Sequence, residues 1–286
     1  MTWTTGNNLN SNSDHCSGGG GNSTNAITAS DDVDRDKSES FDGTNWTTEG
    51  NMSRSPTNGI GAGGGASGGI AFGGHYDGGT SEFNGTSWAA GGTASNRHIA
   101  PANDIGDETN AIAIAGATSY WVASANVEEY NGTSWSTGGS LSTARHYNAG
   151  GGNTTDAITV GGATPSFISS TEEYNGTSWS AGGSIATATG YMGGGGNTTD
   201  AICMAGYITS NITTTYTYDG TTWTTESDAV NTARRWFGGT AGGSSTDAFC
   251  AGGYGASPLN STELWSAAGG GGGYRHVPQL TPFAGL

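Results

Sequence analysis

Short apolar runs, most of them closed by glycine, recur along the chain: IAFGG at 70–74, IAIAG at 112–116, ITVGG at 158–162 and ICMAG at 202–206. AITAS at 26–30 and AFCAGG at 248–253 bring the set to six. Runs this short, apolar at consecutive positions, predict strands covered on both faces. Each is followed by a polar stretch and then, five times, by an aromatic residue, Asn or Asp, Gly, two small residues and Trp. The copies are FDGTNW at 41–46, FNGTSW at 83–88, YNGTSW at 130–135, YNGTSW at 174–179 and YDGTTW at 218–223. Asn-Gly and Asp-Gly favour type I′ hairpin turns, in which both central residues take φ > 0. The aromatic therefore ends one strand and the Trp opens the next.

A glycine-rich stretch, such as HYNAGGGN at 146–153, precedes the apolar runs in five of the six units. One unit thus reads as four short strands: a (glycine-rich), b (apolar), c (ending in the aromatic) and d (carrying Trp). Successive repeat tryptophans, Trp46, Trp88, Trp135, Trp179 and Trp223, lie 42, 47, 44 and 44 residues apart. Four antiparallel strands in about 40–50 residues make a propeller blade. Glycine suits strand a, the innermost, where side chains have least room. Strands b and c occur six times, the last strand c being STELW at 261–265, but no GTSW follows Trp265. The missing strand d stands at the start of the chain, where TWTTG at 2–6 resembles the segment after each turn. The expectation is an all-β, six-bladed propeller over 1–266, four antiparallel strands per blade, with Trp3 on an N-terminal strand that closes the last blade. Exchange of that strand with a neighbouring subunit is the alternative.

Gly-Gly after strand b, an aromatic–Asx pair ending strand c and a Trp in strand d together resemble the kelch repeat, across residues 2–266. The wording YNGTSWSTGGSLSTAR at 130–145 is similar to kelch-type repeats in bacteriophage virion proteins. The resemblance implies a binding scaffold rather than one defined activity.

Charge narrows the partners. The formal net charge is −16, with eight Lys or Arg, which argues against nucleic acid and against anionic membrane surfaces. No run of 18 apolar residues exists to insert in a bilayer, and MTWTTGNNLN lacks the pattern of a secretory signal. Cys16, Cys203 and Cys250 fit no metal spacing, and the last two fall on equivalent strands, where buried thiols are expected.

Enzyme readings find little support. Some kelch-like propellers resemble galactose oxidase, whose copper site needs paired histidines, but among His15, His75, His98, His146 and His276 only His98 and His146 take matching blade positions. SESFDGTNW at 38–46 is reminiscent of a sialidase Asp box but lacks the residue between Asp42 and Gly43. No nucleophile elbow or phosphate loop is present. The expectation is a non-enzyme without a resident cofactor. Asp31, Asp32, Asp34 and Asp36 cluster densely enough to suggest Ca²⁺, without EF-hand spacing.

Five cations fall where the d–a loop enters strand a: Arg54, Arg97, Arg145, Arg234 and Arg235. They suggest an arginine ring around one mouth for an anionic glycan or carboxylate, or else local pairing with strand-c acids such as Glu128, Glu129, Glu172 and Glu173. The b–c loops of the same face, ATSYWVASAN at 117–126, ATPSFISS at 163–170 and YITSNITT at 207–214, vary most, and Tyr120 and Trp121 stand out as an aromatic platform. Beyond the repeat, five glycines at 269–273 form a tether to an apolar segment with Tyr274, Val277, Leu280 and Phe283, read as an attachment tail over 267–286. The sequence therefore suggests a multi-copy virion protein, a fibre, appendage or decoration, joined to other virion proteins by its tail and contacting host glycan. The competing class is an intracellular protein-interaction module.

Overall fold

In a computed structural model, the chain is described at residues 1–12, 18–29, 35–54, 60–74, 78–96, 98–99, 101–102, 105–118, 122–235 and 244–266. Strand β1 (Thr2–Thr5) comes first. Blade 1 follows as β2 (Gly18–Asn22), β3 (Asn25–Ala29), β4 (Ser38–Phe41) and β5 (Trp46–Thr48), and blade 2 as β6 (Gly61–Gly65), β7 (Gly68–Phe72), β8 (Thr80–Phe83) and β9 (Trp88–Ala90). Blade 3 holds β10 (Ala111–Ile114), β11 (Val127–Tyr130) and β12 (Trp135–Thr137). Blade 4 comprises β13 (Ala149–Gly152), β14 (Ala157–Val160), β15 (Thr171–Tyr174) and β16 (Trp179–Gly182). Blade 5 comprises β17 (Gly193–Gly196), β18 (Ala201–Met204), β19 (Thr215–Tyr218) and β20 (Trp223–Thr225); β21 (Ala248–Ala251) and β22 (Thr262–Ser266) belong to blade 6.

These strands form six antiparallel sheets in a propeller, each in the order a, b, c, d from the axis outward. Four sheets contain all four strands; in blades 3 and 6 the single bridges Gly106↔Ala111 and Ser244↔Asp247 stand at the strand-a position among the described residues. Blade 6 takes its outer strand from the N-terminus: β1 pairs with β22 through Thr2↔Ser266, Trp3↔Trp265, Thr4↔Leu264 and Thr5↔Glu263. Closure is therefore within the chain.

Glycine dominates strand a because neighbouring blades meet there backbone to backbone. A Cβ on Gly20 would lie 2.6 Å from the Cα of Gly63, and one on Gly151 would lie 2.6 Å from the backbone nitrogen of Gly196. Further out, strand b is covered on both faces, as Ala111–Ile114 illustrates by being wholly buried. The core is accordingly a series of apolar layers between blades; one joins Ile70 and Phe72 to Ile112, Val127, Tyr130, Tyr174 and Trp179.

The turn between c and d is not type I′. Asn131 and its counterparts keep φ < 0, and only the following glycine is left-handed, +85° at Gly132. Four residues separate the last strand pair, Tyr130↔Trp135, and the Asn131 side chain accepts the backbone N–H groups of Thr133 and Ser134. Asx chemistry replaces the second left-handed residue.

Three kinds of polar bond join adjacent blades. Strand-d tryptophans donate their indole N–H to the hydroxyl that opens strand c of the preceding blade: Trp46 to Thr262, Trp88 to Ser38, Trp135 to Thr80, Trp223 to Thr171 and Trp3 to Thr215, all at 2.8–2.9 Å. Trp179 would meet Val127 and instead donates to the Gly139 carbonyl. Next, a tyrosine that ends strand c donates to the third residue of strand c in the preceding blade: Tyr130 to Glu82, Tyr174 to Glu129 and Tyr218 to Glu173. Where Phe41, Phe83 or Trp265 stands instead, the preceding residue is Leu264, Ser40 or Thr217, so acceptor and donor appear together. Finally, the last residue of an a–b turn accepts a backbone N–H of the next blade, as Asp156 does from Thr198 and Asp247 does from Ser23.

Two predictions follow from these junctions. Replacing Thr215 with Val leaves the buried Trp3 indole N–H without its acceptor and should cost about 1–3 kcal/mol, read from urea unfolding. Burial, and next the carboxylate each phenol donates to, push Tyr174 and Tyr218 up to about 12. Because an unfolded tyrosine titrates near ~10, the folded state holds these protons more tightly. That stability is complete below pH ~10 and is lost as pH rises through about 12, so the urea midpoint should fall across this window. The fall should be smaller in a Tyr174→Phe/Tyr218→Phe double variant.

Candidate functional site

The b–c loops and d–a connectors share one end of the propeller, opposite the a–b and c–d turns. In blade 3, Ile99 bridges Ala117, which bridges Ala123. The same ladder recurs as His146–Ala163–Phe167, Gly190–Tyr207–Asn211 and Arg235–Tyr254–Pro258. This register aligns His146 with Ile99, not with His98 as the sequence spacing suggested; His98 aligns with Arg145.

One buried device supports these connectors. Glu172 accepts the backbone N–H groups of Ser142 and Thr143 and a hydrogen bond from the Arg145 guanidinium, at 2.7, 3.1 and 2.7 Å. Glu263 does the same with Asn231, Thr232 and Arg234. In blade 3 Glu128 accepts from Ser95 and Asn96 and faces His98 Nε2 at 2.9 Å, while His98 Nδ1 donates to the Ala115 carbonyl. Burial raises the Glu128 carboxyl, but the bonds from His98, Asn96 and Ser95 outweigh it and hold it at about 2. Arg145 and Arg234 also donate to the carbonyls of Ser170 and Ser261, and neither has any exposed surface. An exposed arginine ring is thus not what these two positions form. The pairing alternative holds for them: each guanidinium meets a strand-c glutamate and adds a second hydrogen bond to a b–c carbonyl that already accepts a backbone N–H. Arg54 likewise donates to the carbonyls of Gly79 and Gly73. Arg97, Tyr120, Trp121 and the tail residues lie outside the described residues, as do Asp31, Asp32 and Asp34 of the acidic cluster; Asp36 accepts from Asn51.

Arg235 differs. Its guanidinium lies 4.6 Å from the ring centre of Tyr207 and 5.5 Å from that of Tyr254. Around it a half-exposed aromatic surface extends over blades 4–6. Tyr147 and Tyr191, each just before strand a of its blade, lie 3.9 Å apart between ring centres, and Phe167 meets Tyr191 and Tyr207 edge-on at 5.9 and 6.2 Å. Glycine at 190 makes room, since a Cβ there would be 2.6 Å from the Phe167 ring. Tyr147 and Tyr191 hold left-handed backbones, φ 57° and 60°, which cost a non-glycine residue about 1–2 kcal/mol. Burial pushes both phenols above the usual tyrosine range, so the surface carries neutral hydroxyls. Beside Tyr147, two buried atoms have no hydrogen-bond partner, His146 Nδ1 and Asn148 Oδ1. The Asn148 amide is oriented by Thr159, whose hydroxyl donates to the Ala149 carbonyl and so accepts from Asn148 Nδ2.

Sequence reasoning found Arg235 and the loops carrying Phe167 and Tyr207 but missed Tyr147 and Tyr191. A signal existed: HYNAGGG at 146–152 and GYMGGGG at 190–196 place Tyr where the glycine-rich strand begins.

At the opposite end, the left-handed turn glycines Gly21, Gly64, Gly106, Gly152 and Gly196 surround an axial cavity of about 300 Å³. Its acids, Asp107 and Asp156, are occupied with backbone N–H groups of Thr109, Asn110 and Thr198. Among the described residues no group of three His, Cys, Asp or Glu is placed to hold a metal ion. Cys203 and Cys250 are buried free thiols, and burial raises both, Cys250 to about 12.

Arg145→Met should cost about 3–5 kcal/mol in urea unfolding, by leaving Glu172 buried without its cation. Arg235→Met, at a half-exposed position, should cost less than Arg145→Met.

No family profile and no curated protein matches the chain. Among solved structures it is similar to "Structure of YjhT", with 11% identity over 93% of this chain and 98% of that one and a TM-score of 0.73, a likeness of fold alone.

Proposed function

We propose that this protein is a non-enzymatic binding and display propeller of a bacteriophage particle, a fibre, appendage or surface decoration. The half-exposed aromatic and arginine surface of blades 4–6 carries the reading. Large rings left at a loop face, with two tyrosine backbones held in strained conformation, suit recognition better than stability. A net charge of −16 keeps such a disc soluble and away from nucleic acid. The repeat wording, similar to kelch-type virion proteins, supports the particle setting. On this reading residues 267–286 attach the propeller to other virion proteins in many copies, the ligand is host surface glycan, and no cofactor is required; Ca²⁺ at the acidic segment of 31–36 is a minor addition. A soluble protein-interaction module inside the cell is the second reading, favoured by the same surface, and an enzyme acting on glycans a third.

Mass spectrometry of purified particles tests this proposal. The chain should be present at more than one copy per particle, and absent from particles when 267–286 is deleted. A soluble pool in intact cells with none in particles would overturn the virion reading in favour of the intracellular one.

A further inference from the structure

The loop face of blades 4–6 gathers aromatic ring surface around a single described cation, Arg235. Tyr147, Tyr191, Phe167, Tyr207 and Tyr254 supply half-exposed aromatic area around Arg235. A ligand for this face therefore carries an apolar side to stack on the rings and polar edges that stay in water. Sugars have this character: the C–H face of a pyranose is weakly positive and sits well against the negative face of an aromatic ring. Charge decides which sugars. Arg145 and Arg234 are buried against Glu172 and Glu263 and have no field left for a ligand. Arg235 is spread over two rings and bonded to Asn211, and a chain of net charge −16 repels anions at long range.

We propose that the surface built on Tyr147, Tyr191, Tyr207 and Phe167 is a binding site for neutral glycan. This rests on the display reading above and names its ligand. The left-handed φ of Tyr147 and Tyr191 offers a clean test, because glycine is at ease in that backbone. Tyr147→Gly and Tyr191→Gly remove the rings while relieving the strain.

The experiment is native affinity electrophoresis of the full chain, which its acidity makes mobile. Gels contain a neutral polysaccharide (dextran, laminarin or galactomannan) or an acidic one (alginate or hyaluronan). Retardation by at least one neutral polysaccharide is expected, with apparent Kd raised 10-fold or more in both glycine variants and melting temperature equal to or above wild type. If either variant melts lower, Phe167→Ser, on a loop, should show the same loss. Retardation by no neutral polymer, by acidic polymers alone, or to the same degree in the ring-deleted variants would overturn the proposal. Absence from particles with neutral-glycan binding intact would instead sink the virion setting and leave the site standing.

Discussion

A ring of sheets holds only if every blade grips its neighbour, and here the grip is made twice over. Inner glycine strands approach until backbones touch, and outer tryptophans reach back to a hydroxyl on the preceding blade. Those two contacts set the blade spacing. The apolar layers between sheets then have a fixed thickness, filled by Ile, Val, Phe and Tyr from strands b and c. The seam uses the same bonds: Trp3 reaches Thr215, Trp46 reaches Thr262 and Asp247 accepts from Ser23, so the blade containing the first and last strands is joined as the others are.

The chain's charges are largely consumed in building. Glu128, Glu172 and Glu263 anchor the connectors between blades, Glu82, Glu129 and Glu173 receive tyrosine hydroxyls, and Asp156 and Asp247 tie adjacent turns. A composition that looks like an acidic, weakly functionalised surface is, in the fold, a set of carboxylates spent on backbone N–H groups and phenols. What remains distinctive is aromatic: one end of blades 4–6, where loops rather than strands set the geometry and rings stay half open to solvent.

Two junction types divide the ring, each over three consecutive junctions. Tyr–Glu pairs join blades 2 to 5, and the blades that supply the glutamate, 2, 3 and 4, each carry Gly-Gly after strand d; a Cβ at Gly91 or Gly182 would meet the Glu82 or Glu173 carboxylate. In blades 1 and 5, where no tyrosine arrives, Ser40 and Thr217 donate instead to Glu49 and Glu226, which occupy the first of those glycine positions. The internal copies thus vary in concert, and the variation is coherent only when read across blades.

By itself the sequence determined the blade count, the strand order, the closure by the first strand and the place of each repeat tryptophan on strand d. Those features rest on apolar runs repeated six times and a turn motif repeated five times, which survive any ambiguity in one copy. Tertiary structure decided the fate of single side chains. Arg145 and Arg235 occupy similar sequence settings, yet one is sealed against Glu172 and the other lies over Tyr207 and Tyr254, because adjacent slots of one connector face opposite ways. Tyr147 and Tyr191, about a blade apart along the chain, become ring-on-ring neighbours only when consecutive blades swing their inner strands to the same axis.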